Sequence, residues 1–224
     1  MATTLHEPPK ADRDRAAQLA SGAGGGWRSL APPEGRLRTT SDLSPEPSRT
    51  GIWVGLAAIA MSFAALTSAL LVRQGSTDWQ HFTLPRILYL NTVLLLASSV
   101  TLEVARRRVA AFMGGRAAEV AVPLGWLYAT LGLGLCFVAG QYEAWLQLRA
   151  HGLYLPTNPS SSFFYVFTSV HALHVLGGLG GLVAVIPKLK RLILRRSTLD
   201  ATSHYWHFMG ILWLYLLFIL WTKF

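Results

Sequence analysis

The stretch from Ser162 to Pro187 constrains the fold more than any other part of the chain. As a helix it is long enough to cross the ~30 Å hydrocarbon core of a bilayer, and it contains no Asp, Glu, Lys or Arg. It carries two histidines three residues apart, followed by four glycines: His171, His174, Gly177, Gly178, Gly180 and Gly181. Glycines allow close helix approach, so this pattern predicts a membrane helix that packs on other helices.

Four further apolar runs predict a bundle. The five predicted transmembrane helices lie at about residues 51–72, 87–105, 122–146, 163–186 and 205–222. Only 14% of the residues are charged, whereas soluble domains average about a quarter. We therefore predict an all-α fold, an integral membrane bundle of five transmembrane helices over residues 51–224.

Residues 1–50 differ in composition from the rest of the chain. They are rich in Gly, Pro and charged residues of both signs, so they cannot bury enough apolar area to offset the entropy of ordering. We predict a disordered, flexible cytoplasmic tail. The tail has no apolar core segment, and no cleaved signal peptide is expected.

Basic residues are unevenly distributed between the loops. They cluster after the second and fourth spans and in the tail near the first span, and they are sparse in the other loops. By the positive-inside rule, this places the N-terminus in the cytoplasm and the C-terminus outside. A bacterial-type inner (cytoplasmic) membrane location is expected. No basic face interleaved with aromatic residues is present, so no nucleic acid is expected as a partner.

The histidines are the residues most suggestive of a cofactor. His171 and His174 form one i, i+3 pair, and His204 and His207 form another. From the predicted spans, His171 and His207 differ in depth by on the order of 14 Å, whereas one metal ion needs ligands about 2 Å away. We therefore expect neither haem nor metal here, and instead expect neutral imidazoles that hydrogen-bond between helices.

Other polar residues in the spans also suggest helix packing. Asn91 and Ser98 are seven residues apart and share a helix face, and Gly177 and Gly181 form a GxxxG pair. Glu103 and Glu143 lie near helix ends and are expected to reach the headgroup zone. Cys136 is expected to be a small buried side chain. The sequence contains no nucleophile–base pair, phosphate loop or paired-carboxylate centre, so no catalytic residues are expected.

Three segments together resemble subunit III of the haem–copper oxidases, the cytochrome c and quinol oxidases. They are YLNTVLLLASSVT at 89–101, FFYVFTSVHALHVLGG at 163–178 and HYWHFMGILWLYLLF at 204–218. The resemblance implies the five-span form of that family, with no haem or copper in this chain. It implies a non-catalytic subunit that packs on subunit I, binds phospholipid and supports proton uptake. Haem and copper are then held by subunit I and, in cytochrome c oxidases, also by subunit II, which is a further expected partner.

The resemblance also selects individual residues. With the packing residues above, the candidates for helix packing, subunit interface or lipid contact are Asn91, Ser98, Ser99, Thr101, Glu143, His171, His174, Gly177, Gly181, Tyr205, Trp206, His207 and Trp213. The chain departs from the family pattern at Ile59, where many members carry a glutamate, and at Gly210, where an aspartate often stands. Gln141 is offset by one residue from the family's glutamine.

Two other functions remain open at this point. One is an accessory subunit of a nitric-oxide reductase, because similar proteins occur in such complexes. The other is an independent haem-binding electron-transfer protein that uses the four histidines of the spans.

Overall fold

Five long helices make up the described chain. The computed structural model describes residues 49–113, 115 and 120–224. The helices are α1 (Arg49–Gln74), α2 (Ile87–Met113), α3 (Ala121–Ala150), α4 (Pro159–Lys190) and α5 (Arg196–Lys223). All five are long and apolar enough to cross a membrane, and the described ranges contain no strand. The prediction of an all-α, multi-pass membrane protein is confirmed, whereas nearly all of the predicted tail lies outside the described residues.

The helices extend beyond their apolar parts. Helix α2 was expected to end at its arginines but continues to Met113, and α5 begins at Arg196 instead of near residue 205. Charged side chains sustain these extensions because they pair one helical turn apart, as Glu103 does with Arg106 and Arg196 does with Asp200. Apolar runs locate the membrane-embedded part of a helix and do not report its polar ends.

Four of the helices form a ring, and the fifth lies against it. Helices α2, α3, α4 and α5 pack in that order, and α5 closes the ring on α2. Helix α1 packs on the outside, against α4 and α5. Its buried seam consists of Leu56, Phe63 and Leu70, which recur every seven residues and therefore lie on one face.

The loops at one end of the bundle are tied together. The Phe82 amide donates to the Phe224 carbonyl at 3.1 Å, and Trp79 Nε1 donates to the Lys223 carbonyl at 3.2 Å. Asn158 Nδ2 donates to Gln80 Oε1 at 3.2 Å, which brings in the α3–α4 loop. The α1–α2 loop, the α3–α4 loop and the end of α5 therefore share one end, as alternating spans require. The arginines and lysines of the α2–α3 and α4–α5 connections belong to the opposite end.

Candidate functional site

Trp206 lies in the middle of the ring and contacts all three other ring helices. Its Nε1 donates to Ser98 Oγ of α2 at 3.0 Å. Its six-membered ring lies against two glycines, Gly134 of α3 and Gly178 of α4, where an added Cβ would come within 2.8 and 3.0 Å of it. A side chain at either glycine would therefore collide with the indole, and Trp206 is only 1% exposed.

Trp213 forms a second layer, two turns further along α5. Its Nε1 donates to Thr92 Oγ1 of α2 at 3.0 Å. Its ring meets Phe137 of α3 edge-on at 5.0 Å between centroids, and lies 5.2 Å from the imidazole of His171 on α4. The predicted site residues Ser98, Trp206 and Trp213 are thus brought together across the α2–α5 seam.

The hydroxyl groups of α2 are suited to receive these indoles. Ser98 Oγ donates to the Leu95 carbonyl at 2.7 Å, and Thr92 Oγ1 donates to the Leu88 carbonyl at 2.9 Å. Each hydroxyl hydrogen is therefore used within its own helix, and the oxygen remains free to accept from a tryptophan. In hydrocarbon, where backbone and side-chain polar groups need internal partners, this arrangement satisfies both.

Ser99 and Thr101 face different neighbours. An added Cβ on Gly210 of α5 would lie 3.4 Å from Ser99 Oγ, so Ser99 contributes to the α2–α5 seam. Thr101 Oγ1 lies 2.9 Å from Thr130 Oγ1 and links α2 to α3. Gly210, where an aspartate often stands in the family, is buried in this seam.

The glycines of α4 do not contribute equally. Gly177 and Gly181 make ordinary contacts, since an added Cβ would lie 3.5 Å from Tyr205 Oη and 3.4 Å from Thr202. The tightest approach is at Gly178, outside the GxxxG pair, and Gly180 has open space around its Cβ position. The sequence did not point to the matching Gly134 on α3, because a single glycine in an apolar helix gives no sign of what packs on it.

The expected interhelical hydrogen bonds of the histidines are wrong for three of the four. His174 Nδ1 pairs with the Val170 carbonyl at 2.7 Å, and His204 Nδ1 with the Asp200 carbonyl at 2.6 Å, each within its own helix. His171 is fully buried, and neither ring nitrogen has a hydrogen-bond partner. The local bonds form because these imidazoles reach the carbonyl four residues back on their own helix. The interhelical bond nearby runs from Tyr205 Oη, which donates to the His174 carbonyl at 2.9 Å.

The depth separation of the histidines is smaller than expected. Tyr205 contacts Gly177 and Trp213 contacts His171, so half-buried His207 lies roughly level with Gly177, about 9 Å in depth from His171. The expected value of 14 Å was too large because it was measured from the ends of the apolar runs. No three or more His, Cys, Asp or Glu side chains come together in metal-binding geometry within residues 49–113, 115 and 120–224.

Glu143 and Cys136, two further residues with a sequence-based expectation, are both exposed on α3. Glu143 is exposed on α3 and accepts a weak hydrogen bond of 3.4 Å from Gln147 of the same helix. Cys136 is exposed, so the expectation of a buried thiol is wrong. It lies on an outward face of α3 made of small residues, namely Gly125, Ala129, Gly132, Cys136 and Ala139, which are all exposed.

A groove runs between α1 and α4. Its volume is about 830 Å³, and its walls are mainly small or apolar: Ala65, Ser68, Ala69, Val72, Pro159, Ser162 and Phe163, with Arg73 and Ser76 at its polar end. The Arg73 guanidinium also binds the Asp78 carboxylate through two hydrogen bonds of 2.9 and 2.6 Å. The groove therefore combines an apolar floor with a cation at the loop end.

The sequence was compared with those of known proteins and protein families. The sequence model described as cytochrome c oxidase subunit III matches residues 53–223, which include nearly all of the five helices. The chain is 28% identical over 203 residues to cytochrome c oxidase subunit 3 of Corynebacterium diphtheriae, covering 84% of this chain and 93% of that protein.

Two other relatives carry related names. A probable cytochrome c oxidase subunit 3 of Nocardia farcinica is 31% identical over 183 residues, covering 76% of this chain and 85% of that protein. A probable quinol oxidase subunit 3 of Staphylococcus aureus is 26% identical over 180 residues, covering 76% of this chain and 86% of that protein. The match over residues 53–223, which spans nearly all of the five-helix membrane fold, shows that the chain belongs to the cytochrome c oxidase subunit III family, whose members are subunits of terminal oxidases.

Proposed function

We propose that this chain is the non-catalytic subunit III of a respiratory haem–copper terminal oxidase, which packs on a haem-bearing subunit I and on subunit II. The family match across all five helices carries the proposal. The hydroxyl groups of Ser98, Thr92 and Thr101 contact neighbouring helices of this chain, and this use in helix packing supports a structural, non-catalytic role. Haem and copper belong to the partner subunits, and this chain holds none.

The outward face of α3 is suited to receive a helix of the partner. Gly125 and Gly132 have no atom within 4 Å of an added Cβ, and Ala129, Cys136 and Ala139 continue the same small surface. Small residues let helix backbones approach closely in a membrane, where van der Waals packing drives association. We assign this face to the contact with subunit I.

The groove between α1 and α4 is suited to hold a phospholipid. An acyl chain fits along the small side chains of α1, and Arg73 at the loop end complements the charge of a phosphate. Arg73 retains donors for this role, because a guanidinium offers five N–H groups and Asp78 uses two.

The orientation of the chain completes the proposal. The basic end of the bundle, with Arg106, Arg107 and Arg108, lies in the cytoplasm of a bacterial-type inner membrane, and the C-terminus lies outside. At this end Arg106 contacts both Glu103 and Asp200 and so ties α2 to α5. The chain supports proton uptake by holding the cytoplasmic side of the partner in place.

Copurification tests the proposal. The tagged chain, extracted in mild detergent, should carry along a polypeptide with a haem spectrum that consumes oxygen. Recovery of the chain without haem-bearing companions would contradict the proposal. A companion that reduces nitric oxide, and not oxygen, would favour a nitric-oxide reductase complex.

Substitutions on the outward face of α3 test the interface. Gly132→Phe adds a large side chain where the chain itself has open space, so it should leave the fold intact and reduce recovery of the partner. Leu173→Phe on α4, at a side chain that is 67% exposed, is the matched control and should leave recovery unchanged. Equal recovery from both variants would remove α3 from the interface.

Native mass spectrometry tests the lipid site. Arg73→Ala should reduce the number of phospholipids retained by the purified chain, whereas Arg86→Ala, exposed at the same end, should not. Unchanged lipid retention in Arg73→Ala would contradict the assignment of the groove.

A further inference from the structure

Three polar side chains lie buried in the ring without hydrogen-bond partners. They are Asn91 of α2, Gln141 of α3 and His171 of α4, which are 0%, 1% and 0% exposed. Both polar atoms of each side chain lack a partner. Almost all buried polar groups in proteins are paired, with protein or with ordered water, so each of these groups requires an explanation.

The three side chains are linked by contacts through their neighbours in the ring. The amide of Asn91 rests on Gly140, the residue next to Gln141, so closely that an added Cβ there would collide with Asn91 Oδ1. Gln141 is one turn from Phe137 on the same face of α3, and the Phe137 ring lies 6.0 Å from that of His171.

Trp213 lies next to His171 and hydrogen-bonds to the neighbour of Asn91. Its ring lies 5.2 Å from the imidazole of His171, and its Nε1 donates to Thr92, the neighbour of Asn91. Together, α2, α3 and α4 each contribute one unpartnered polar side chain beside the Trp213 layer of the ring. Beside the Trp206 layer the corresponding hydroxyl of Ser98 is fully paired.

The chemistry of the three groups selects a ligand. Each amide offers both donors and an acceptor, and a neutral imidazole offers one of each. The rings that contact His171, those of Phe63, Phe137 and Trp213, are uncharged, so they offer an ion no counter-charge. A small neutral molecule that both donates and accepts fits this set, and buried water typically makes about three hydrogen bonds.

We propose that Asn91, Gln141 and His171 surround an internal hydration site, in which bound water joins α2, α3 and α4 by hydrogen bonds. Gly140 is part of the site, because a side chain there would displace the Asn91 amide. The site does not depend on the proposed oxidase function, since it uses only groups within this chain.

Water-edited solid-state NMR of the full chain in lipid nanodiscs tests the site directly. Magnetisation from water protons should reach the ¹⁵N-labelled imidazole of His171 several-fold faster than the indole nitrogen of Trp206. Trp206 is the matched control because it is equally buried but already donates to Ser98. Loss of the assigned signal in His171→Phe identifies the resonance. Transfer to His171 as slow as to Trp206 would overturn the proposal.

A double-mutant cycle gives an independent readout. Asn91→Leu and Gln141→Met keep side-chain volume while removing hydrogen bonding. If water joins the two amides, the double variant should shift the unfolding midpoint by less than the sum of the single shifts. Additive shifts would show that the two groups are independent and would overturn the proposal. Non-additive shifts together with slow water transfer to His171 would also overturn it, because they indicate a direct bond without water.

Discussion

The ring of α2–α5 and the peripheral helix α1 are held in place by different means. In the ring, Trp206 and Trp213 each contact three other helices, and their indole N–H groups are paired with hydroxyls of α2. Helix α1 is attached through one seam of large apolar side chains and through the Tyr215 hydroxyl, which donates to Thr67 Oγ1 at 2.9 Å. The ring is therefore expected to persist when α1 is displaced, whereas α1 depends on the ring.

In the ring, loss of tryptophan packing is expected to cost more free energy than loss of a hydrogen bond between helices. Hydrogen bonds between membrane helices contribute on average only about 0.6 kcal/mol, because the unfolded chain in a membrane also finds partners. Truncation of a buried tryptophan costs about 3–5 kcal/mol, mainly through lost contacts. Packing of the indoles should therefore outweigh their hydrogen bonds.

The largest effect is expected from Trp206→Ala. It removes the side chain that fills the ring between Gly134 and Gly178 and should lower the free energy of unfolding by about 3–5 kcal/mol. Unfolding in mixed detergent micelles measures it. Trp221→Ala, at a side chain that is 67% exposed, is the control and should have little effect. Equal losses in both variants would mean that Trp206 does not hold the ring together.

Phe63→Ala should act on α1 and spare the ring. Phe63 is 1% exposed and its ring contacts those of Phe167, His171 and His174, so its loss should destabilise the attachment of α1 by about 3 kcal/mol. Limited proteolysis in the α1–α2 loop should accelerate, while the near-UV signal of the ring tryptophans is retained. Simultaneous loss of both signals would show that α1 and the ring unfold together.

Gly178→Leu should destabilise the ring by overpacking. An added Cβ already lies 3.0 Å from Trp206, so a leucine would force the indole to move, at a cost of about 1–3 kcal/mol. Gly180→Leu is the matched control, because nothing lies within 4 Å of its Cβ position. A thermal melt should separate the two variants, and identical midpoints would contradict the assigned seam.

Ser98→Ala should have a smaller effect. It removes the acceptor of the Trp206 indole but leaves the packing of the ring intact, so a loss of about 1 kcal/mol is expected. Chemical denaturation measures it, and Ser62→Ala, at an exposed serine of α1, is the control. A loss as large as that of Trp206→Ala would reverse the order of packing and hydrogen bonding.

The smallest effect is expected in the α1–α2 loop. Hydrogen bonds from Ser76 and Arg73 lower the pKa of the Asp78 carboxyl. Because the folded pKa is the lower one, the contribution of Asp78 to stability is present above its unfolded pKa near 4 and is lost as the pH falls through the folded value. Asp78 is exposed and its ion pair with Arg73 lies at the surface, so Asp78→Asn should leave the melting temperature nearly unchanged at pH 7. A large shift would show that this loop does more than cap the bundle.

The sequence predicted the helices of the ring better than the side-chain contacts inside it. Apolar runs located all five helices, and the spacing of Ser98 and of the glycines in α4 pointed to faces that do meet other helices. The packing of Trp206 on Gly134 and the contact between Asn91 and Gly140 could not be predicted. Both depend on how neighbouring helices are aligned, which the sequence of a single helix does not determine. The interhelical bonds expected of His174 and His204 were wrong because a local carbonyl was nearer than a neighbouring helix.

The central claim is that this chain contributes helices to a terminal oxidase and no prosthetic group of its own. The most direct test is the visible absorption spectrum and metal content of the chain purified without companions, compared with those of the intact complex. We predict no Soret band and no stoichiometric iron or copper in the chain alone, with haem present in the complex. A Soret band in the isolated chain that disappears on substitution of His171, His174 or His207 would contradict the account.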